Sequence, residues 1–289
     1  MNIKTIFSII MLFVSLSTYA TGQEGDVIYI DGVQWKLLGK PVYADSTLNR
    51  TLKEALPKGR GRTTANWSGY TAYWSICKDQ LCLDSVQYQI YDGSNQYGRT
   101  ESLPTKALHR LFKKYVEGKR IVATWFDGDI RVAKGKMIYY VHSGFQRNYE
   151  NERIISIGQG KVRGVKDYQN HVVEGFAFDE YHPEGTPPKQ FPRTDNPNLR
   201  EMFPLHIEQY PELAGKKRIF FSVRRAKVDA TGHLVDCEVR VHKPGDNPKL
   251  AAEMAEAMKA YHPWRVFYIN GEYRAYGIEG YTFQYIIDK

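Results

Sequence analysis

Apolar and polar positions alternate over most of the first half of this chain, and the densest stretch is IVATWFDGDIRVAKGKMIYYVHSGF, residues 121–145. Val122, Thr124 and Phe126 interleave with Ala123 and Trp125, the period of two that lets a strand turn one face to a core. Asp127-Gly128 is a tight-turn dipeptide and Lys134-Gly135-Lys136 is a second break, so the stretch predicts three strands in a meander. Residues 26–38 alternate around Asp31-Gly32 and predict a hairpin. Residues 67–91 predict two strands, and residues 153–157 and 162–165 a further short hairpin. Helical spacing occurs twice in this half. Leu48, Leu52 and Leu56 follow Ser46 as a cap, with Pro57 and Gly59 as a stop. Leu108, Leu111, Phe112, Tyr115 and Val116 share one side of a helix expected over 105–117, with Gly118 as its breaker.

The pattern changes after residue 180. Seven of the chain's 13 prolines fall between residues 181 and 211. Proline fixes φ and withholds a backbone donor, so such segments stay extended. A chain of 289 residues accommodates two domains. The boundary is therefore set at 181–198, between a module at 21–180 and another at 199–289. In the second module, residues 219–228 and 234–241 alternate as strands, with Gly232 at their turn. Asn247 caps a helix and Pro248 takes its first position, with Leu250, Ala251, Met254, Met258 and Tyr261 as its buried stripe. His262-Pro263 ends it. Residues 264–269 and 273–275 form a hairpin around Asn270-Gly271, and 281–287 supply a last strand. The fold class is α+β: a strand-dominated domain with two short helices, then a small antiparallel sheet with one main helix.

The second module carries Tyr210-Pro211-Glu212, Phe221 and Val223 on one strand, the Gly232 turn, Ala251 and Ala255 on the helix, Trp264, Asn270-Gly271 and Phe283, in that order. This order resembles the TonB C-terminal-like domain of envelope proteins. The resemblance implies a binding module, in which an extended peptide adds to an exposed strand edge. A true energy transducer keeps an N-terminal membrane helix and a long proline-rich rod. Here a folded module stands in that place, so the resemblance implies a borrowed recognition module. The first module has Trp67, Gly69, Tyr70, Trp74 and Ile76, then Ala123, Trp125, Phe126, Gly128 and Arg131, then Gly135, Tyr139, Val141, His142, Gly144 and Phe145. That spacing resembles an uncharacterised bacterial β-rich domain over residues 26–170 and implies no activity.

Residues 1–20 have Lys4 before an apolar run at 6–16 and small residues at Thr18-Tyr19-Ala20. They read as a signal peptide cut after Ala20, the alternative being an uncleaved anchor helix, and give a periplasmic protein of a Gram-negative envelope. No cysteine lies near the cut, so no lipid anchor is expected. Export would place the three cysteines in an oxidising compartment. Cys77 and Cys82 flank Lys78-Asp79-Gln80-Leu81; a four-residue hairpin loop would set them face to face for a disulfide, the alternative being two reduced thiols on a wet strand face. Cys237 is in phase with Val235, Val239 and Val241, as a small hydrophobe would be. No second CxxC or HxxxH accompanies these residues, so no metal site is expected.

The net charge of +8 is dispersed in short clusters, Lys58-Gly59-Arg60-Gly61-Arg62, Lys113-Lys114 and Lys216-Lys217-Arg218, which does not favour nucleic acid as a partner. The first cluster lacks phosphate-loop spacing and reads as a flexible connector. Candidate catalytic groups are Asp127, Asp129 and His142, whose ordinary roles are turn stabilisation and a strand-end bond to backbone. A retaining glycosidase needs two carboxylates about 5 Å apart, and Asp127 and Asp129 flank one glycine. Trp125, Tyr139 and Tyr140 read as packing residues. With no cofactor loop or activated nucleophile, the expected function is non-enzymatic binding of a periplasmic protein or peptide. The alternatives are an immunity protein against a periplasm-acting toxin, an envelope hydrolase with its site in the first module, and a structural adaptor joining outer-membrane complexes.

Overall fold

The computed structural model describes residues 22–91, 98–141, 143–180, 189–190 and 199–287. The expected signal segment with Ala20, His142 and nearly all of the proline-rich 181–198 lie outside them. The fold is mixed α+β and strand-rich.

The first ten strands and two helices run β1 (Asp26–Ile30), β2 (Val33–Leu37), α1 (Ser46–Ala55), β3 (Thr71–Cys77), β4 (Gln80–Ile90), β5 (Arg99–Ser102), α2 (Thr105–Leu111), β6 (Val116–Glu117), β7 (Arg120–Val122), β8 (Gly128–Tyr140), β9 (Arg147–Gly158) and β10 (Lys161–Gln169). They form one ten-stranded sheet in the order β10-β9-β8-β2-β1-β3-β4-β7-β6, with β5 on β4. The β1–β3 pair is parallel. The sheet also closes on itself, because Lys161 of β10 pairs with Gln80 of β4. Backbone bonds of 2.8 Å, from Leu81 N to Gly160 O and from Val162 N to Asp79 O, seal that seam. Inside the closed part lie Ile28, Leu37, Trp74, Leu81, Val86 and Val132, all buried.

A buried ion pair sits among them. Lys40 Nζ is 3.0 Å from Asp26 Oδ1, with side-chain exposures of 3% and 0%. Asp26 also accepts from Ala72 N and Trp74 Nε1, and Lys40 also donates to Tyr70 O, each at 3.0 Å. Burial raises the Asp26 carboxyl above its ordinary value, against the pull of Lys40 and the donors.

Four local expectations are corrected. The meander is not three strands: Gly128–Tyr140 is one strand, and Lys134-Gly135-Lys136 is a bulge in it. Lys134 pairs with Asn151 and Met137 with Tyr149, so one extra residue is taken up there, and a second shift follows between Met137 and Tyr139. The strand before it, β7, pairs with β4 and β6 instead. The helix expected over 105–117 stops at Leu111; Lys113–Tyr115 is one 3-10 turn, and β-branched Val116 pairs with Ile121 across the Gly118 turn. Asp45, not Ser46, caps α1, accepting from Leu48 N at 2.9 Å. The hairpin expected at 153–165 is far longer, since β9 and β10 pair from Gly158–Lys161 out to Asn151–Gln169.

The chain then forms β11 (His171–Val173), β12 (Asp179–Glu180), β13 (Lys189–Gln190), α3 (Leu199–Met202), β14 (Arg218–Val228), β15 (Leu234–Lys243), α4 (Pro248–Ala260), β16 (Val266–Ile269), β17 (Glu272–Arg274) and β18 (Thr282–Ile286). Asn247 caps α4 as expected, its side chain accepting from Leu250 N at 3.0 Å. A separate three-stranded sheet, β11-β16-β17, buries Phe267 and Ile269 with Ile138 of β8 in a small cluster of its own, while the three-stranded sheet β15-β14-β18 flanks this second core. Leu250, Met254 and Met258 of α4 pack there against Phe221, Trp264 and Tyr285.

The second core takes in chain from before the proline-rich segment. His171–Val173 pairs with β16, and Phe178 is buried among Phe203, Trp264 and Phe283. Near Asn170 the chain thus passes from the first sheet to the elements of its second half. There Asn170 accepts from Asn270 N at 2.9 Å, and Tyr139 of the first sheet stacks on Tyr276 at 3.9 Å. Tyr139 is a packing residue, as expected, and its partners belong to the second half.

Candidate functional site

A sheet edge is a template for another strand unless it is closed, covered or charged. The first sheet closes at β4–β10, and the rest of β10 is exposed and blunted by Arg163, Lys166 and Asp167. The sheet β15-β14-β18 is open. β14 is its middle strand, so ten-residue β15 is an edge with no strand partner on its outer side among the described residues.

The direction of the outer amides follows from the register. Val223 of β14 donates its N–H to Tyr281 O, and its carbonyl accepts from Gly280 N, so its backbone faces β18. Val239 lies directly opposite Val223, and Val241 opposite Phe221. In an antiparallel pair such residues turn their N–H and C=O away from each other. Val239 and Val241 therefore present backbone groups outward, while their side chains are buried under α4. Glu238 and Arg240 face Arg224 and Ser222 and bond inward.

Side chains fix this edge in place. Arg225 Nη1 meets Glu238 Oε1 at 2.5 Å, and His242 Nε2 lies 2.7 Å from Ser222 Oγ. The β14–β15 turn is tied by Asp229, which accepts from the amides of Thr231 and His233 and from the Thr231 hydroxyl. The His233 amide foremost, then the Thr231 donors, hold that carboxyl down at about 2. His262 stacks on His233 at 4.0 Å and meets Thr231 O at 2.8 Å, joining the end of α4 to the turn.

The two candidate catalytic aspartates each make a local hydrogen bond. Asp127 Oδ1 accepts from Gln159 N at 2.7 Å, and Asp129 Oδ1 from Ser156 Oγ at 2.7 Å, so both carboxylates brace the β9–β10 hairpin. His142 lies outside the described residues. Trp125 packs on Trp74, Phe112 and Tyr115, with its Nε1 on Pro41 O at 3.3 Å. Tyr140 hydroxyl accepts from Gly22 N at 3.2 Å. Among the described residues no group of three or more His, Cys, Asp or Glu is placed to hold a metal ion.

The disulfide expectation is also corrected. The β3–β4 turn has two residues, Lys78 and Asp79, at φ 52° and 57°. Cys77 faces Gln80 and Cys82 faces Ser75, so the two sulfurs are offset and both thiols are free. Burial pushes the thiols of Cys82 and Cys237 up to about 11, which leaves them inert.

Sequence reasoning missed Asp26 and Lys40, whose pairing is long-range. It also missed Glu152, only 1% exposed, which accepts from Tyr149 N at 2.8 Å and from the Asn148 amide. No family model, curated protein or solved structure matches this chain. Among the described residues no helix is long and apolar enough to cross a membrane, which leaves strand-built spans aside.

Proposed function

We propose that this chain is an exported, non-enzymatic binding protein of a Gram-negative envelope, and that a protein or peptide partner adds a strand along β15. The observation that carries the reading is the open edge of β15, with the Val239 and Val241 backbone groups turned outward. Main-chain bonds supply affinity in this mode, and side chains beside the edge supply selectivity. Exposed Val235, Arg240 and His242 stand along the edge strand. The resemblance of residues 199–289 to TonB C-terminal-like modules supports the same mode. The two aspartates of the hydrolase alternative serve the β9–β10 hairpin, which speaks against a site there.

The test is photo-crosslinking in an intact envelope. A photoreactive residue at Val235, 59% exposed, gives a discrete adduct with one partner. The same probe at Val33, 47% exposed on β2, gives none. Adding Val239→Pro removes the outward amide and abolishes the adduct. Val239→Ala trims more packing, keeps the amide and retains the adduct. Adducts that survive Val239→Pro unchanged in a folded chain would contradict edge addition.

A further inference from the structure

The segment read as a flexible connector is pinned instead, and it builds a second site in the first module. Arg60 bridges to Ile90 of β4, and Gly61 N donates to Gln89 O at 2.8 Å. Arg60 is only 6% exposed, with Nε on Ser68 O at 3.1 Å and Nη1 on Pro57 O at 3.0 Å. Gly69, at φ +67°, makes room for it: a Cβ there would lie 2.8 Å from Gly61 O and 3.0 Å from Arg60 Nε. Both Arg60 acceptors are neutral carbonyls, so this buried cation has no carboxylate partner among the described residues.

Arg60 stands in the wall of a cleft of about 660 Å³ beside α1, together with Arg50, Lys53, Lys58 and Arg62. Glu54 is the one carboxylate lining it. None of the five cations is ion-paired among the described residues. Burial, and then the nearby charges of Arg60, Arg62 and Lys40, hold the Lys53 ammonium below its ordinary value. Cations crowded in this way repel one another until an anion enters. The cleft offers one further contact. Trp67 is 71% exposed on it, and its indole N–H is fixed to Thr64 O at 2.6 Å, which holds a bare ring face in water.

We propose that this cleft binds a compact anionic sugar, one carrying a phosphate, with the anion between Arg60, Arg62 and Lys53 and the ring lying on Trp67. The volume suits a small ligand. Convergence of the charges in one hollow, rather than along a stripe, sets it apart from a polynucleotide track. The site is independent of the β15 edge.

Calorimetric titration of the protein with glucose 1-phosphate at low ionic strength tests this, with glucose, inorganic phosphate and adenosine monophosphate run in parallel. Saturable binding of glucose 1-phosphate is expected. It weakens about tenfold or more in Arg62→Glu, where a charge-assisted bond is lost. It weakens in Trp67→Ala, whereas inorganic phosphate binds less tightly and ignores Trp67→Ala. Arg62 and Trp67 are exposed, so both variants should fold, as a circular dichroism melt checks; Arg60→Gln is avoided because Arg60 staples its loop. The proposal fails if none of the four compounds saturates, if phosphate alone matches the sugar phosphate, if the nucleotide binds more tightly, or if Arg62→Glu has no effect.

Discussion

Lys40→Met is expected to destabilise the chain by about 3–5 kcal/mol at neutral pH, the cost of leaving a buried charge without its partner. Methionine keeps the stem's volume, and Asp26 remains wholly buried between the Ala72 and Trp74 donors. The loss depends on pH in a defined sense. Burial already raises the Asp26 carboxyl, and Lys40 is the largest influence opposing it. Without Lys40 the folded-state value rises further. A raised value means that the folded chain takes up the proton more readily than the unfolded one. Stability from that proton is complete below the unfolded value of about 4 and is lost as pH rises through the folded value. The Lys40→Met deficit therefore shrinks as pH falls toward about 4. Adding Asp26→Asn, which removes the charge and keeps an acceptor, recovers most of it at neutral pH. Urea unfolding followed by tryptophan fluorescence reads both effects. A Lys40→Met chain as stable as the wild type at pH 7 would show that the pair does not hold this core.

Residues 199–289 alone are expected not to fold, whereas residues 171–289 fold cooperatively. Phe178 is 3% exposed and stacks on Phe283 at 4.4 Å, and Phe176 packs on Trp264 at 5.3 Å. Backbone bonds set them there: Phe176 N to Pro263 O at 3.0 Å, Arg265 N to Phe176 O at 2.7 Å and Phe178 N to Gly277 O at 2.9 Å. Truncating a buried phenylalanine costs about 3–5 kcal/mol, and a whole domain is stable by only about 5–15 kcal/mol. The shorter piece loses the buried Phe178 ring, the half-buried Phe176 ring and the β11 partner of β16. In the full chain, Phe178→Ala alone should cost about 3–5 kcal/mol of the second core's stability. Amide chemical-shift dispersion of the two fragments decides the matter. A well-dispersed spectrum from 199–289 would place the boundary back in the proline-rich segment.

What could be read along the chain was what neighbouring residues decide together. Asp31-Gly32 and Asn270-Gly271 turn where they were expected, with all four residues at positive φ. Asn247-Pro248 starts α4 because a cap and a pre-set φ act within one turn. The failures lie where a distant partner decides. Gly135 reads equally as a turn or a bulge, and only β9 pairing on both sides of it makes it a bulge. Val116 continues the helical stripe, but a strand partner at Ile121 claims it. The β3–β4 turn has no glycine, so nothing local showed that two residues, not four, connect the strands. Prolines at 183–197 gave a boundary from composition, while Phe178 was claimed by a core formed from residues later in the chain. Of the edge proposed as the binding site, the strand itself was legible at 234–241, but its openness depends on which strands pair around it. The basic cleft was hidden because Arg60 reads as one more surface charge until Gly69 and β4 close over it.

Among the described residues the outer side of β15 has no strand partner, which leaves it ready to receive another strand. Residue-resolved amide hydrogen exchange on the free protein reads that openness. Near-unprotected exchange is expected at Val239 and Val241, alternating with slow exchange at Glu238 and Arg240, whose amides bond to β14. Equal, strong protection at all four would mean that the edge is already covered, and the proposed mode of binding would be wrong.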